Sequence, residues 1–288
     1  MQNKLPFTDA VDLEILLLGY AHFDGDFSFF KQTLESVPSH PLYSYPKERL
    51  EKIFHHMEHT SEDLFPLLPL KAQQAVEQSK KMLIEMQKNL HDYPDSVESK
   101  VDALILTVGQ DPYSLIDELV MEAKESLSYL IKALKNPLLN DPLYPGFGTS
   151  IPKIVDALKG IQDPQAIPHL FHSLLEQNSK NEDALLDALA SFEGEARSFL
   201  VGILEKRPFS LESSYAAKAL NLLKNEDVGL VAIDQLCDSE VNKHPALINY
   251  LILLLDHLPQ EEHSSLLKQL LEETHFSDAH RKEIQLLL

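Results

Sequence analysis

The chain has 288 residues, 44% of them apolar, a formal net charge of −20 and a single cysteine. The charge divides evenly, −10 in residues 1–150 and −10 in 151–288, so a diffuse negative field repels phosphate backbones and anionic lipid, and no basic stripe opposes it. Nucleic acid and membrane surfaces are therefore excluded as expected partners, a disulfide framework is impossible with Cys237 alone, and nine glycines are too few for an all-β fold built on glycine turns.

In chain order, Thr8 is placed to cap a first helix reaching about Phe23. The N-terminal stretch carries Asp9, Asp12 and Glu14 where a signal peptide needs positive charge. Together with the reduced, lone Cys237, expected as a small buried hydrophobe, this points to a cytoplasmic protein. Asp24-Gly25-Asp26, with His22 beside it, reads as turn chemistry rather than a metal loop, and a second helix follows to about Val37. Pro38, Pro41 and Pro46 make a loop, after which a third helix carries Leu50, Ile53, Phe54 and Met57 on one face. A long amphipathic helix is expected from Leu70 to about Leu90, and Asp95 with Glu98 suggests a capping box for the next.

The third helix also holds His55-x-x-Glu58-His59. Two histidines one helical turn apart with an intervening Glu form the metal-and-base pattern that resembles the inverted zinc peptidases. A zinc-dependent hydrolase centred on His55, Glu58 and His59 is therefore the alternative functional reading, with Glu118, Glu122 or Glu125 as a possible third ligand. Against it, His55, Glu58 and His59 fall largely opposite the apolar face.

From about residue 95 onward a repeat takes over. Asp156-Ala157-Leu158, Asp187-Ala188-Leu189, Lys218-Ala219-Leu220 and Asn249-Tyr250-Leu251 follow one another every 31 residues, and Leu170, Leu200 and Leu230 every 30. That interval is the length of two helices and two turns. An upstream copy, Val101-Asp102-Ala103-Leu104 then Gln110-Asp111-Pro112, matches Val155-Asp156-Ala157-Leu158 then Gln162-Asp163-Pro164. A long helix over 112–135 and a Pro/Gly-rich insertion or hinge at 136–149 account for the wider spacing between them.

Asp163-Pro164-Gln165-Ala166-Ile167-Pro168-His169-Leu170, together with the Ala-Leu pairs at 157–158, 188–189 and 219–220, resembles HEAT and short bacterial HEAT-like repeats. The later first helices lack the proline, and the arginine common in the second helix is replaced. The resemblance implies an all-α, right-handed α-solenoid superhelix of antiparallel helix pairs over 95–288, preceded by an irregular helical cap over 1–94. It also implies a non-catalytic scaffold or adaptor without a cofactor. In such a stack the outer side of the second helices lines a concave face, so Asp156, Asp187, Lys218 and Asn249 are expected to form a ladder flanked by Asp183, Ser191, Ser214 and Asn221. That face would take a protein partner, a basic or amphipathic segment. The nearly all-apolar run Ala246–Leu255 either finds cover in the stack or exposes a strip for a second copy of the chain.

Overall fold

The computed structural model describes residues 5–60, 63–176, 180–223, 225–273 and 276–288. Among the described residues there are sixteen α-helices, six short 3₁₀ turns and no strand, so the fold is all-α. None of these helices is long and apolar enough to cross a membrane. The chain folds as two compact units, 1–161 and 162–288. The 94/95 division and the 136–149 segment both fall inside the first.

The first unit runs α1 (Ala10–Phe23), α2 (Phe27–Ser36), α3 (Lys47–His59), α4 (Leu70–Asp92), α5 (Val97–Leu106), α6 (Tyr113–Met121), α7 (Ala123–Leu134) and α8 (Ser150–Ile161). Asp9, not Thr8, caps α1: its carboxylate, at the non-helical position, accepts from Val11 N at 3.0 Å. Asp24, in the left-handed region, ends α1, and Asp26 Oδ1 accepts from Phe29 N at 2.8 Å to start α2, so 24–26 is a turn. Leu16, Phe30, Ile53 and Leu64 meet in a core that is fully closed to solvent. The expected box at Asp95 and Glu98 is replaced by Ser96, whose Oγ accepts from Ser99 N at 3.2 Å. The single helix expected over 112–135 is broken at Glu122 (φ −99°, ψ 31°), whose carboxylate lies 2.8 Å from Lys100 Nζ on α5.

The 136–149 segment is strapped to its unit by hydrogen bonds. Ser79 Oγ donates to Leu143 O at 2.6 Å, Tyr144 OH to Gln78 Oε1 at 3.0 Å, and the His22 ring meets Pro142 O at 3.0 Å through Nε2. Gly146 (φ +85°) turns the chain where an added Cβ would lie 2.7 Å from Ile105 O. Lys153 Nζ donates to Ile105 O at 3.2 Å and Thr107 O at 2.6 Å, closing the carbonyl end of α5, and burial there lowers its ammonium to about 8.

The second unit runs α9 (Ile167–Glu176), α10 (Glu182–Ser191), α11 (Glu193–Leu204), α12 (Leu211–Leu220), α13 (Glu226–Leu236), α14 (Pro245–Leu254), α15 (His263–Glu272) and α16 (Asp278–Leu286). Helices pack in sequential pairs, and α10, α12, α14 and α16 touch one after another while α9, α11, α13 and α15 do the same. This is a two-layer packing of helix pairs. Its apolar register follows the 31-residue interval: Ala188, Leu189, Ala219, Leu220 and Leu251 are all buried. The 30-residue series holds for Leu170 and Leu200 but fails at Leu230, which is 37% exposed, because α13 buries Val228, Ala232 and Leu236 instead. Cys237 is another departure, standing exposed where α13 ends rather than inside its apolar run.

Candidate functional site

The ladder positions of the second unit lie on α10, α12 and α14. Helical periodicity puts Asp187 beside the buried pair Ala188 and Leu189, on the side that turns from the core, and both Asp183 and Asp187 are exposed. Asn249 is likewise exposed on α14. Lys218 and Asn221 are half-buried and engaged within the unit. The Lys218 ammonium pairs with Glu182 and lies 5.8 Å from the centroid of the Tyr250 ring. Asn221 Nδ2 donates to Ala217 O at 2.8 Å and Tyr250 O at 3.1 Å. Ser191 Oγ donates to Ala188 O at 2.6 Å, and Ser214 is buried. Asp156 is exposed on α8, in the first unit.

This face is therefore more acidic than the alternation of Asp, Lys and Asn suggests, since Glu182 neutralises Lys218 and leaves Asp183 and Asp187 uppermost. Glu182 escaped the sequence reading because it sits in the first turn of α10, five positions off the repeat register. Tyr250 was within reach of it, directly following the ladder residue Asn249 one repeat beyond Lys218. Of the apolar run 246–255, Leu247, Ile248, Leu251, Ile252, Leu254 and Leu255 are buried, leaving Leu253, 54% exposed, as its large side chain in solvent.

In the first unit, His55 and His59 are exposed on α3, their rings stacked with centroids 4.2 Å apart. His59 Nδ1 lies 2.8 Å from His55 O, so that nitrogen is engaged with the helix backbone. Glu58 Oε1 is 3.4 Å from Lys31 Nζ. Glu118 and Glu122 converge on Lys100 Nζ at 3.6 and 2.8 Å. Among the described residues no group of three or more His, Cys, Asp or Glu side chains is gathered as a metal site.

Comparison with protein-family models, with curated proteins and with solved structures yields no match.

Proposed function

We propose that the second unit is a short right-handed solenoid of HEAT-like pairs and that the chain serves, without catalysis, as a cytoplasmic protein-binding scaffold. The exposed face of α10, α12 and α14 is its docking surface. The observations that support this reading are a buried Ala-Leu core that recurs at one repeat interval on α10 and α12, and the exposed acidic flank of Asp183 and Asp187 on α10. A repeated surface of this kind is the feature by which stacked helix pairs hold extended partners. Its sign favours a basic or amphipathic segment, attracted by the field and released by salt. The zinc reading of His55, Glu58 and His59 has weaker support, because Glu58 is turned toward Lys31 and both rings stand in water rather than in a dry, shaped cavity.

The test is a titration of labelled amphipathic peptides, one Lys/Leu-rich and one Glu/Leu-rich, followed by fluorescence anisotropy. The basic peptide should bind and the acidic one should not, and Asp183→Lys with Asp187→Lys should weaken the basic complex about tenfold. Equal binding of both peptides, or an unchanged affinity in the double variant, would remove the docking assignment.

A further inference from the structure

The repeated pattern Val-Asp-Ala-Leu puts Asp102 on α5 where Asp156 stands on α8, yet Asp156 is exposed and Asp102 is only 8% exposed. The cover comes from α4, whose Asn89 donates from Nδ2 to Asp102 Oδ2 at 2.9 Å. Among the described residues Oδ1 takes no hydrogen bond, and no ammonium or guanidinium lies within ion-pairing distance of the carboxylate. Asp102 instead borders a cavity of about 220 Å³ between α4, α5 and α7.

The walls of that cavity are apolar and soft, made by Met82, Met86, Val101, Ile105 and Leu139, with the Tyr129 ring on one side. Its ionisable groups are mainly acidic: Glu85 from α4, Glu98 and Asp102 from α5, against Lys132 from α7. The Lys132 side chain is 78% exposed and its Nζ lies 3.9 Å from Glu98, so it stands at the rim. Burial pushes the Asp102 carboxyl above its usual range, reinforced by the Glu98 charge and opposed by the Asn89 hydrogen bond and by the charge of Lys132 at the rim. A carboxylate this enclosed is ordinarily matched by a cation, because desolvation without a partner is costly. Here the fold supplies one neutral amide in contact and a single ammonium, Lys132, that acts from the rim without pairing with it.

We propose that the cavity binds a small organic cation, an ammonium group carried on an apolar, aromatic stem, with the ammonium at Asp102 and the stem between Met82, Met86 and Tyr129. The volume suits it: an engineered apolar cavity of about 150 Å³ holds benzene, so 220 Å³ accommodates a ring with a short aminoalkyl arm. Hard metal ions are poorly matched, since they require several oxygen ligands and these walls are mostly carbon and sulfur. Anions are repelled by the three carboxylates. Thioethers and an aromatic face, in contrast, are favourable surfaces for a ring and for an alkylammonium.

Methionine labelling gives a direct readout, because Met82 and Met86 line the cavity whereas Met57 and Met121 lie elsewhere. Protein carrying ¹³C-methyl methionine is titrated with 2-phenylethylamine and, separately, with its neutral isostere 2-phenylethanol. The Met82 and Met86 signals should shift saturably while those of Met57 and Met121 stay, and the amine should bind about tenfold more tightly than the alcohol. Asp102→Asn should erase that preference. Ala133→Leu, which narrows the cavity, should weaken both ligands, and it provides the decisive variant if Asp102→Asn does not fold. The proposal is overturned by equal binding of amine and alcohol or by no saturable shift in the wild type. It is also overturned by a preference that survives Asp102→Asn, or by undiminished amine binding in Ala133→Leu.

Discussion

In the first unit Asp12 is fully buried, with Arg49 Nη1 3.1 Å from one oxygen and the Lys52 ammonium on the other. In the second unit Asp187 stands exposed on a helix whose neighbouring residues, Ala188 and Leu189, are sealed in the core. Asp12 sits on α1, most of whose side chains from Ile15 to Phe23 are buried, and Asp187 on α10, which buries Leu185, Leu186, Ala188 and Leu189. They differ in what lies over the polar flank. At Asp12 the neighbouring α3 covers the carboxylate and meets it with two cations, whereas at Asp187 the packing of α10 leaves the side chain at the surface. The carboxylate is thus structural at Asp12 and superficial at Asp187, and perturbation should separate the two positions sharply.

The largest separation is expected from acid. The His22 ring is stacked on Phe147 with centroids 3.9 Å apart and held at Pro142 O, and His40 packs edge-on against the same Phe147. Burial lowers His22 to about 4, and burial lowers His40 as well. Both are bound neutral, so the unfolded chain takes up protons first, and the stability they contribute is complete above about 6.5 and declines as pH falls below it, for His22 down to about 4. For His22 the full difference amounts to about 3 kcal/mol. Urea unfolding between pH 7 and 4.5 should show a steeper loss in wild type than in His22→Gln. Parallel curves would mean that the loop is not clamped through neutral His22.

Asp12 gives the next test. Burial raises its carboxyl pKa, but hydrogen bonds and charge from Lys52 and Arg49 outweigh that and lower it, so its contribution is present above about 4 and lost as pH falls further. Asp12→Ala leaves two cations facing a hydrophobic wall, and should cost about 2–3 kcal/mol. This is below the range for fully buried pairs, because the Arg49 and Lys52 side chains are 38% and 52% exposed. Asp187→Ala should stay within about 0.5 kcal/mol in the same denaturation experiment. A large loss from Asp187→Ala would place that residue in the structure of its unit rather than on its surface.

Glycine extends the contrast to the backbone. An Ala at Gly146 would have to adopt φ +85° with its Cβ 2.0 Å from Ser150 Oγ, and should cost about 1–3 kcal/mol. At Gly202, exposed on α11, an added Cβ meets nothing within 4 Å, so Gly202→Ala should stabilise by about 0.5–1 kcal/mol through helix propensity alone. Thermal melts of the two variants should move in opposite directions.

The helical content and most element positions were legible in the sequence because apolar periodicity is a local signal. The long helix opening at Leu70 and the Ala-Leu register through 188–189, 219–220 and 251 follow from it, and the turn at 24–26 follows from the equally local chemistry of Asp-Gly-Asp. What escaped depends on contacts between distant positions. Lys100 reaching Glu122 at the break of the 112–135 helix is one case, and Glu182 neutralising Lys218 is another. The slip at Leu230 has a different origin: α13 offers Val228, Ala232 and Leu236 at helical spacing, and the chain buries that better-aligned set rather than the leucine that keeps the count. Asp102 was written in the same tetrapeptide as Asp156, so no local pattern could distinguish the covered copy from the open one.

That pair supplies the smallest and most pointed prediction. Desolvation is the dominant influence on Asp102 and raises its carboxyl, so the folded protein holds the proton more firmly than the unfolded chain does. The consequence is a stability penalty fully present above the folded pKa and relieved as pH falls through it toward the ordinary value of 3.8. Asp102→Asn keeps an oxygen for the Asn89 amide at nearly the same volume while removing the buried charge. At pH 7 it should therefore stabilise the protein by about 0.5–1 kcal/mol, an effect absent at low pH, where wild type is already protonated. Asp156→Asn, at the equivalent but exposed position, should change stability by less than about 0.5 kcal/mol at either pH. The decisive measurement is the difference between variant and wild type at the two pH values, since it cancels the histidine contribution. If Asp102→Asn instead destabilises at pH 7, the fold has a use for the ionised carboxylate that the Asn89 hydrogen bond alone does not account for.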